Sequence, residues 1–400
     1  MSYKTLKTIE YMKNGSSEEE YQKRLLSENI NHIDMEVSGY PAFFIETKEI
    51  CNLAMRIHKY DKQLIKLCNE LPENAIDQFS VRCLIDEIQL NNDIEGVRST
   101  RKEIGHAISG GPNSRFKGIV NKYLMLLNKK SIKFSSCEDL RQIYDDLVLD
   151  EVVSASEDNR PDGVLFRKNP VNVTSRLQKT IHTGLYPESE IIDAVTKAMA
   201  YVNNESVELL YRISIFHYLI GYIHPFYDGN GRLNRFISSY LLTREFEPVF
   251  SYRISYTIKE NQSKYYKAFD ECNDKKNRGE LTYFVEVFLS ILLESMENLI
   301  EALEKRNNKW KYYEGMISRL PYSKEQKYYF MYFTLLRYEL FSDKGVSIAE
   351  LAGYVSVSIP TARKMLGTIK ESGILTVDKD STKSYLYGLD LDEIDKLLAL

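Results

Sequence analysis

The sequence predicts a mainly α-helical protein: a helical bundle interrupted by one short β-like segment and followed by a C-terminal winged helix-turn-helix domain. Three observations predict it. Apolar residues recur at three- and four-residue spacings through most of residues 46–303. Only residues 161–183 carry the alternation and prolines of strand-like structure, and residues 347–387 run helix, turn, helix, hairpin. With 400 residues, 43% of them apolar and 28% charged, the chain can bury two or three cores under an ordinary polar surface. The resulting segmentation is an N-terminal helical arm over residues 1–74, a central helical domain over 75–306, a helical linker over 307–341 and the winged helix over 342–400.

Taken in order, residues 1–40 are polar and weakly patterned, an arm against the body. Leu53, Ile57, Leu64 and Leu67 support helix over residues 46–70, ended by Leu71-Pro72. Phe79, Cys83, Leu84 and Ile88 form the stripe of a helix over 74–90 that breaks at Asn91-Asn92-Asp93. Thr100 and Glu103 have capping-box spacing. A loop at residues 110–113 separates this helix from two more, near 119–127 and 140–149. Residues 164–166 and 170–173 are strand-like, and Pro187 opens a helix to about residue 202. Leu209, Ile213, Phe216 and Ile220 mark one face of a helix over 206–223. Beyond the next loop come helices from residue 236, over 260–271, and from Thr282 to about 303. Residues 307–327 are polar and read as a joint. Ser347 with Glu350 begins a short helix, Ser358 caps a second over 359–371, and strands at 374–377 and 384–387 flank residues 378–383.

Composition narrows the function. The chain has 53 Lys and Arg against 57 Asp and Glu, a net charge of −4, so no global basic field points to nucleic acid. The polar start lacks a signal peptide's apolar segment, and no run of about 18 apolar residues predicts a membrane span. The cysteines at 51, 68, 83, 137 and 272 form no Cys-x-x-Cys pair and read as buried thiols of a cytoplasmic protein. Histidines 32, 58, 106, 182, 217 and 224 show no zinc spacing.

The densest chemistry lies in His224-Pro-Phe226-Tyr-Asp228-Gly229-Asn230-Gly231-Arg232-Leu-Asn-Arg235. A loop entering a helix N-terminus presents unpaired N–H groups and the positive end of the helix dipole to an anion. Gly229 and Gly231 permit close backbone approach to a phosphate, and Asn230 can donate its side-chain amide. Arg232 and Arg235 in the first helical turn oppose the dipole unless an anion satisfies them. Asp228 is a hard oxygen ligand for Mg²⁺, and His224 is the general-base candidate. Phe226 reads as the apolar anchor of the loop.

This stretch resembles the motif of the Fic family, His-x-Phe-x-Asp/Glu-Gly-Asn-Gly-Arg-x-x-Arg, at every defined position. The resemblance implies a Fic-type helical bundle with a short β-hairpin flap over residues 75–306, and transfer of AMP from ATP to a Ser, Thr or Tyr hydroxyl of a target protein. It also implies roles. His224 would deprotonate the hydroxyl, Asp228 would hold Mg²⁺, and Gly229, Asn230 and Gly231 would cradle the α- and β-phosphates. Arg232 and Arg235 would neutralise the leaving diphosphate, Arg235 at the γ-phosphate. Segment 166–187 stands where the family's flap docks the target chain, with Thr183 and Gly184 beside the nucleotide. Tyr265, Tyr266 and Asn273 resemble the residues bordering adenine and ribose. Residues 91–96 resemble the family's inhibitory motif, in which Glu95 would pair with Arg235, although Asn91 stands where Ser or Thr is usual.

The winged helix carries seven basic and nine acidic residues over 342–400, a net of −2, and its second helix offers only Arg363, Lys364 and Lys370. That balance favours protein contact or dimerisation over duplex binding. Two other readings stay open at this stage: a nucleotide-sensing regulator binding DNA through the winged helix, and an enzyme removing AMP from a target. Self-modification is a further expectation.

Overall fold

A computed structural model describes residues 3–12, 17–110, 114–174, 180–379 and 384–399. It is 66% helical with a few small strands, as the sequence predicts. By packing the chain divides into two compact units, residues 1–61 with 86–297, and residues 62–85 with 298–400.

The first unit opens with a structure that weak patterning hid. Strands β1 (Ile30–Val37) and β2 (Tyr40–Ile45) pair antiparallel, Ile30 opposite Ile45 and Val37 opposite Tyr40. Ile33, Met35 and Val37 alternate into the core, and Ser38 and Gly39, both with positive φ, make the tight turn that matches strand twist. Helix α1 (Ala75–Ile94) does not break at Asn91 but runs through it. Asn91 and Asn92 are buried and hydrogen-bonded, so tertiary partners satisfy side chains that otherwise favour leaving a helix. Residues 137–155 form one helical run widened by a π-type turn at Asp145–Leu149.

Strands β3 (Asn172–Thr174) and β4 (Thr180–Thr183) form the expected antiparallel hairpin, with Asn172 opposite Thr183. Its tip, residues 175–179, lies outside the described residues. At the centre stands α2 (Leu209–Ile223), buried at every position but Gly221. The single apolar stripe understated it: a helix apolar all round is wrapped on all sides. Among its polar groups, Arg212 Nη1 donates to the Val202 carbonyl at 3.0 Å and Ser214 to the Leu210 carbonyl at 2.6 Å. After the loop, α3 (Asn230–Leu242) is likewise buried throughout except at Gly231. Helix α4 (Gln262–Asn273) completes the site's surroundings.

Helix α5 (Thr282–Ile317) is 36 residues long and runs into the polar stretch 307–327 read as a joint, leaving residues 318–325 as the turn before a helix at Gln326–Phe341. Leu303, Asn307, Trp310, Tyr313 and Ile317 stay buried at helical spacing, so the polarity of residues 307–317 belongs to one solvent face of the helix. In the second unit, α6 (Ile348–Val355), α7 (Ile359–Glu371), β6 (Leu375–Lys379) and β7 (Tyr385–Leu389) follow the predicted order, and a strand the sequence did not predict, β5 (Val346–Ser347), precedes them. The Ser347–Glu350 capping box and the Ser358 cap both form. The strands make an antiparallel sheet in the order β5-β7-β6. Residues 380–383 of the hairpin, like 111–113 of the glycine-rich loop, fall outside the described residues. Among the described residues no helix is long and apolar enough to cross a membrane.

Candidate active site

The loop between α2 and α3 is held from beneath. His224 ends α2 in the left-handed conformation, φ 53°, and Gly229 precedes α3 with φ 80°. A side chain on Gly229 would meet Val148 at 2.9 Å and Tyr144 at 3.2 Å, so the position needs glycine on two counts. Phe226 is fully buried, its ring stacked with a centroid separation of 3.6 Å on that of Tyr144 and edge-on to Phe166. Asn230 has a second task that the residue type does not announce. Its side-chain oxygen accepts from the Phe226 N–H at 3.0 Å and its amide donates to the Phe226 carbonyl at 2.8 Å. The amide therefore clamps the loop with its oxygen and one of its two N–H donors. The backbone supplies open donors: the first intrahelical bond of α3 is Leu233 N–H to Gly229, leaving the N–H groups of residues 230–232 facing the loop.

Two buried arginines follow. Arg232, 1% exposed, pairs with Glu151, which also binds Arg115, while its contact with Asp228 is longer, 3.7 Å. Burial pushes the Glu151 carboxyl up, but the two guanidiniums outweigh it and hold it below the ordinary carboxylate range. The Nε and Nη2 of Arg232 remain buried without a hydrogen-bond acceptor. Arg235, also 1% exposed, donates from Nη2 to Glu95 at 2.6 Å and from Nε to the Asn91 side chain at 2.7 Å. Its Nη2 also reaches the Asn91 carbonyl at 3.2 Å. Asn91 in turn donates to the Tyr123 hydroxyl and the Arg232 carbonyl. Burial disfavours the Arg235 charge, yet Glu95 more than offsets this. The Glu95 carboxylate stands so close over Gly231 that a Cβ there would lie 2.1 Å from it. A carboxylate thus occupies the anion position at the helix N-terminus.

A cavity of about 560 Å³ opens above this pair, lined by Glu95, His182, His224, Asn230, Gly231 and Arg235 on one side and Tyr265, Tyr266, Asp270 and Asn273 on the other. That size suits a nucleotide-sized ligand. Burial first, and the charge of Arg167 second, push the His224 imidazole down to about 4, with Glu95 opposing. The ring is therefore neutral at physiological pH and has a lone pair to accept a proton.

Other expected site residues divide. Tyr265 is mostly core: its hydroxyl meets His217 Nε2 at 2.6 Å, and Tyr266 presents the more exposed ring to the cavity. The side-chain oxygen of Asn273 accepts from Tyr218 at 2.6 Å. Asp228, Gly229, Arg232, Thr183 and Gly184 do not line the cavity. The Thr183 hydroxyl bonds Asn172 across the hairpin at 2.9 Å, and Gly184 packs against Arg167 and His224. The Asp228 side chain is 44% exposed and bonds its neighbour Gly229 N–H. Among the described residues no three His, Cys, Asp or Glu groups gather to hold a metal. A lone accessible carboxylate fits Mg²⁺, which takes most of its ligands from phosphates and water.

The sequence reading missed Glu151, Tyr144, Arg167 and the carbonyl role of Asn91. Tyr144 donates to the Asp228 carbonyl at 3.1 Å. Glu188 was passed over as a helix opener, but its carboxylate accepts the N–H groups of Val164, Leu165 and Phe166 at 3.0, 2.8 and 2.9 Å. Arg167, followed by a hairpin and preceded by Gly163, carried no local signal.

Known proteins share this outline. Residues 134–242 match the model of the Fic/DOC family. Over 182 residues the chain is 24% identical to the protein adenylyltransferase fic-1 of Caenorhabditis elegans, a match spanning 44% of this chain and 33% of that protein. The chain thus covers about a third of that relative's length. Among solved structures it is similar to a Fic family protein of Desulfovibrio desulfuricans G20, with 19% identity and a TM-score of 0.52, covering 86% of this chain and 96% of that one. It is also similar to Caenorhabditis elegans Fic-1, with 18% identity and a TM-score of 0.42 over 63% of this chain and 74% of that one. The first of these structures shares the fold. The loop at residues 224–235 lies inside the matched segment, so residues 134–242 of this chain form a domain of the Fic/DOC type.

Proposed function

We propose that the chain transfers AMP from ATP to a Ser, Thr or Tyr hydroxyl of a target protein, and that Glu95 holds it in an inhibited state. One observation carries this reading: the Glu95 carboxylate, bound to Arg235 and seated over Gly231, occupies an anion position in the same cavity as a neutral His224.

On this reading the backbone N–H groups of residues 230–232 bind the α- and β-phosphates, and Arg235, once released, binds the γ-phosphate. Arg232, with two unbonded donors, adds fixed positive charge where the leaving group develops negative charge. His224 accepts the proton of the attacking hydroxyl as its oxygen bonds to the α-phosphorus and the α–β bridging P–O bond breaks, so diphosphate leaves. Asp228 would hold Mg²⁺, which neutralises phosphate charge when bound. The fully buried Phe226 and the doubly bonded Asn230 keep the loop rigid, so the donors are aimed before substrate arrives. The β3–β4 hairpin offers an edge for a target backbone by strand addition. The acidic balance of residues 342–400 favours a protein partner or a second copy for the C-terminal module, which we read as a winged helix.

The test is incorporation from α-labelled and γ-labelled ATP into cell extract and into the chain itself. Label from the α position is expected to appear on protein, to rise in Glu95→Gly and to vanish in His224→Ala. Incorporation of γ-label alone overturns AMP transfer. Release of AMP from a premodified target, without incorporation under any condition, reassigns the site to removal.

A further inference from the structure

We infer that Arg167 is a positioning residue that fixes His224 and both feet of the β3–β4 hairpin through one buried guanidinium bound to backbone carbonyls. Arg167 is fully buried, burial disfavours its charge, and no carboxylate is among the groups that act on it. Its Nε donates to the His224 carbonyl at 2.9 Å and its Nη1 to the Asn169 carbonyl at 2.7 Å. Nη2 reaches the Leu185 carbonyl at 2.8 Å and the Ile223 carbonyl at 3.4 Å. Its own N–H meets the Pro225 carbonyl at 3.2 Å.

A buried cation without a counter-ion is costly, and a fold keeps one only where dipoles solvate it. Here the dipoles are the last carbonyls of α2, which have no intrahelical partners and form the negative end of the helix. The remaining acceptors, Asn169 and Leu185, stand just outside the two strands of the hairpin. One group therefore ties the helix end carrying His224 to both ends of the hairpin beside it. His224 needs that tie, since its left-handed backbone, φ 53°, is unfavourable for a residue with a side chain. Gly184 makes room for the arrangement: a Cβ there would lie 2.5 Å from Arg167 and 3.0 Å from the His224 Cβ. The same charge acts on the imidazole. The ionisable groups facing His224 are Arg167, Glu95 from the end of α1, and His182 from β4; Arg167 and His182 disfavour the imidazolium, and Glu95 favours it.

The test is histidine NMR on the full chain, with six histidines to resolve and His224→Gln to assign the resonance. Arg167→Gln, which removes the charge, is expected to move the His224 midpoint up by about one pH unit. Arg167→Lys keeps the charge without the four-way fork and is expected to leave the midpoint near that of the unaltered chain. Both variants are expected to speed amide exchange at Gly184 and Leu185 by about tenfold. A folded Arg167→Gln with an unchanged His224 titration and unchanged exchange overturns the inference. Should Arg167→Gln not fold, unchanged exchange in Arg167→Lys overturns it. A kinetic arm rests on the AMP-transfer reading: in Glu95→Gly, adding Arg167→Gln is expected to shift the acid limb of α-label incorporation upward. If no transfer occurs in any variant, that reading fails while the NMR and exchange outcomes still decide the role of Arg167.

Discussion

Glu95→Gly removes an anion from a buried cation, and the structure bounds what that does. The Glu95–Arg235 contact is a single charge-assisted hydrogen bond of 2.6 Å between a guanidinium 1% exposed and a carboxylate side chain 27% exposed. Such a bond contributes about 1.5–3 kcal/mol. A nucleotide whose γ-phosphate takes the same donor must first displace it. At 1.36 kcal/mol per decade, removing the competitor raises the affinity for ATP by roughly 10- to 150-fold. Asn91 limits the gain, because it holds Arg235 from Nε and Nη2 in either state. Without nucleotide the variant leaves Arg235 with neutral partners only, so its melting temperature is expected to fall and to recover more on adding ATP than the unaltered chain's does. Calorimetric titration of ATP with Mg²⁺ gives the affinity, and α-label incorporation at saturating ATP separates binding from chemistry. Glu95→Gln, equal in size but neutral, is expected to fall between the two. If Glu95→Gly binds ATP no more tightly and incorporates no more α-label, the carboxylate is not a competitor and the inhibited-state reading fails.

Two further predictions follow from buried charges near the loop. Glu151→Gln leaves Arg232 uncompensated apart from the 3.7 Å contact with Asp228, and is expected to destabilise the chain by about 3–5 kcal/mol in denaturant unfolding. An unfolding midpoint unchanged in that variant refutes the pairing. Glu87 is fully buried, accepting from the Ser255 N–H and hydroxyl, and burial outweighs these bonds and the Arg235 charge to raise its carboxyl to about 7. The folded state holds this proton more tightly than the unfolded state, so the stability it contributes is complete below about pH 4.5 and is lost as pH rises through 7. That predicts a loss of about 2–3 kcal/mol between pH 5 and pH 8, absent in Glu87→Gln, measured by unfolding at each pH.

What the sequence made legible was what lies within one turn or one loop. The capping residues Thr100, Ser347 and Ser358 act on N–H groups three positions away. The loop from His224 to Arg235 was readable because its glycines, amide and arginines are contiguous. Even there, the clamp that Asn230 makes on Phe226 was hidden, since nothing in the residue type says that its amide also binds the chain four positions back. The groups that complete the site come from far along the chain: Glu151 lies 81 residues from Arg232, and Arg167 lies 57 from His224. No periodicity encodes such pairings. The β1–β2 hairpin had a local signal in the alternation from Ile33 to Val37, masked by the polar residues between. In α5 the interruption starts later than the polarity does: Trp310, Tyr313 and Ile317 keep a buried stripe, and the helix ends only at Ile317.

Asn91 and Glu95 stand four positions apart at the end of α1 and both grip Arg235, yet their surroundings separate their duties. Asn91 is fully buried and spends its remaining donor capacity on the Tyr123 hydroxyl and the Arg232 carbonyl. Moving it means breaking four contacts at once. The Glu95 side chain lines the cavity and holds Arg235 by one bond. The inner contact therefore aims the guanidinium, and the outer one can be exchanged for a phosphate by rotating one side chain while the helix stays in place. The two substitutions should then diverge. Glu95→Gly is expected to raise ATP affinity with a small loss of stability that nucleotide restores. Asn91→Ala strands the Arg235 Nε in the interior, where an unmade bond to a charged donor costs about 3 kcal/mol or more, and lets the guanidinium turn away from the phosphate position. It is expected to lower both stability and ATP affinity, even when combined with Glu95→Gly. Calorimetric titration and unfolding of the double variant decide the matter: if it binds ATP as tightly as Glu95→Gly alone, Asn91 does not aim Arg235, and the two contacts are one lock.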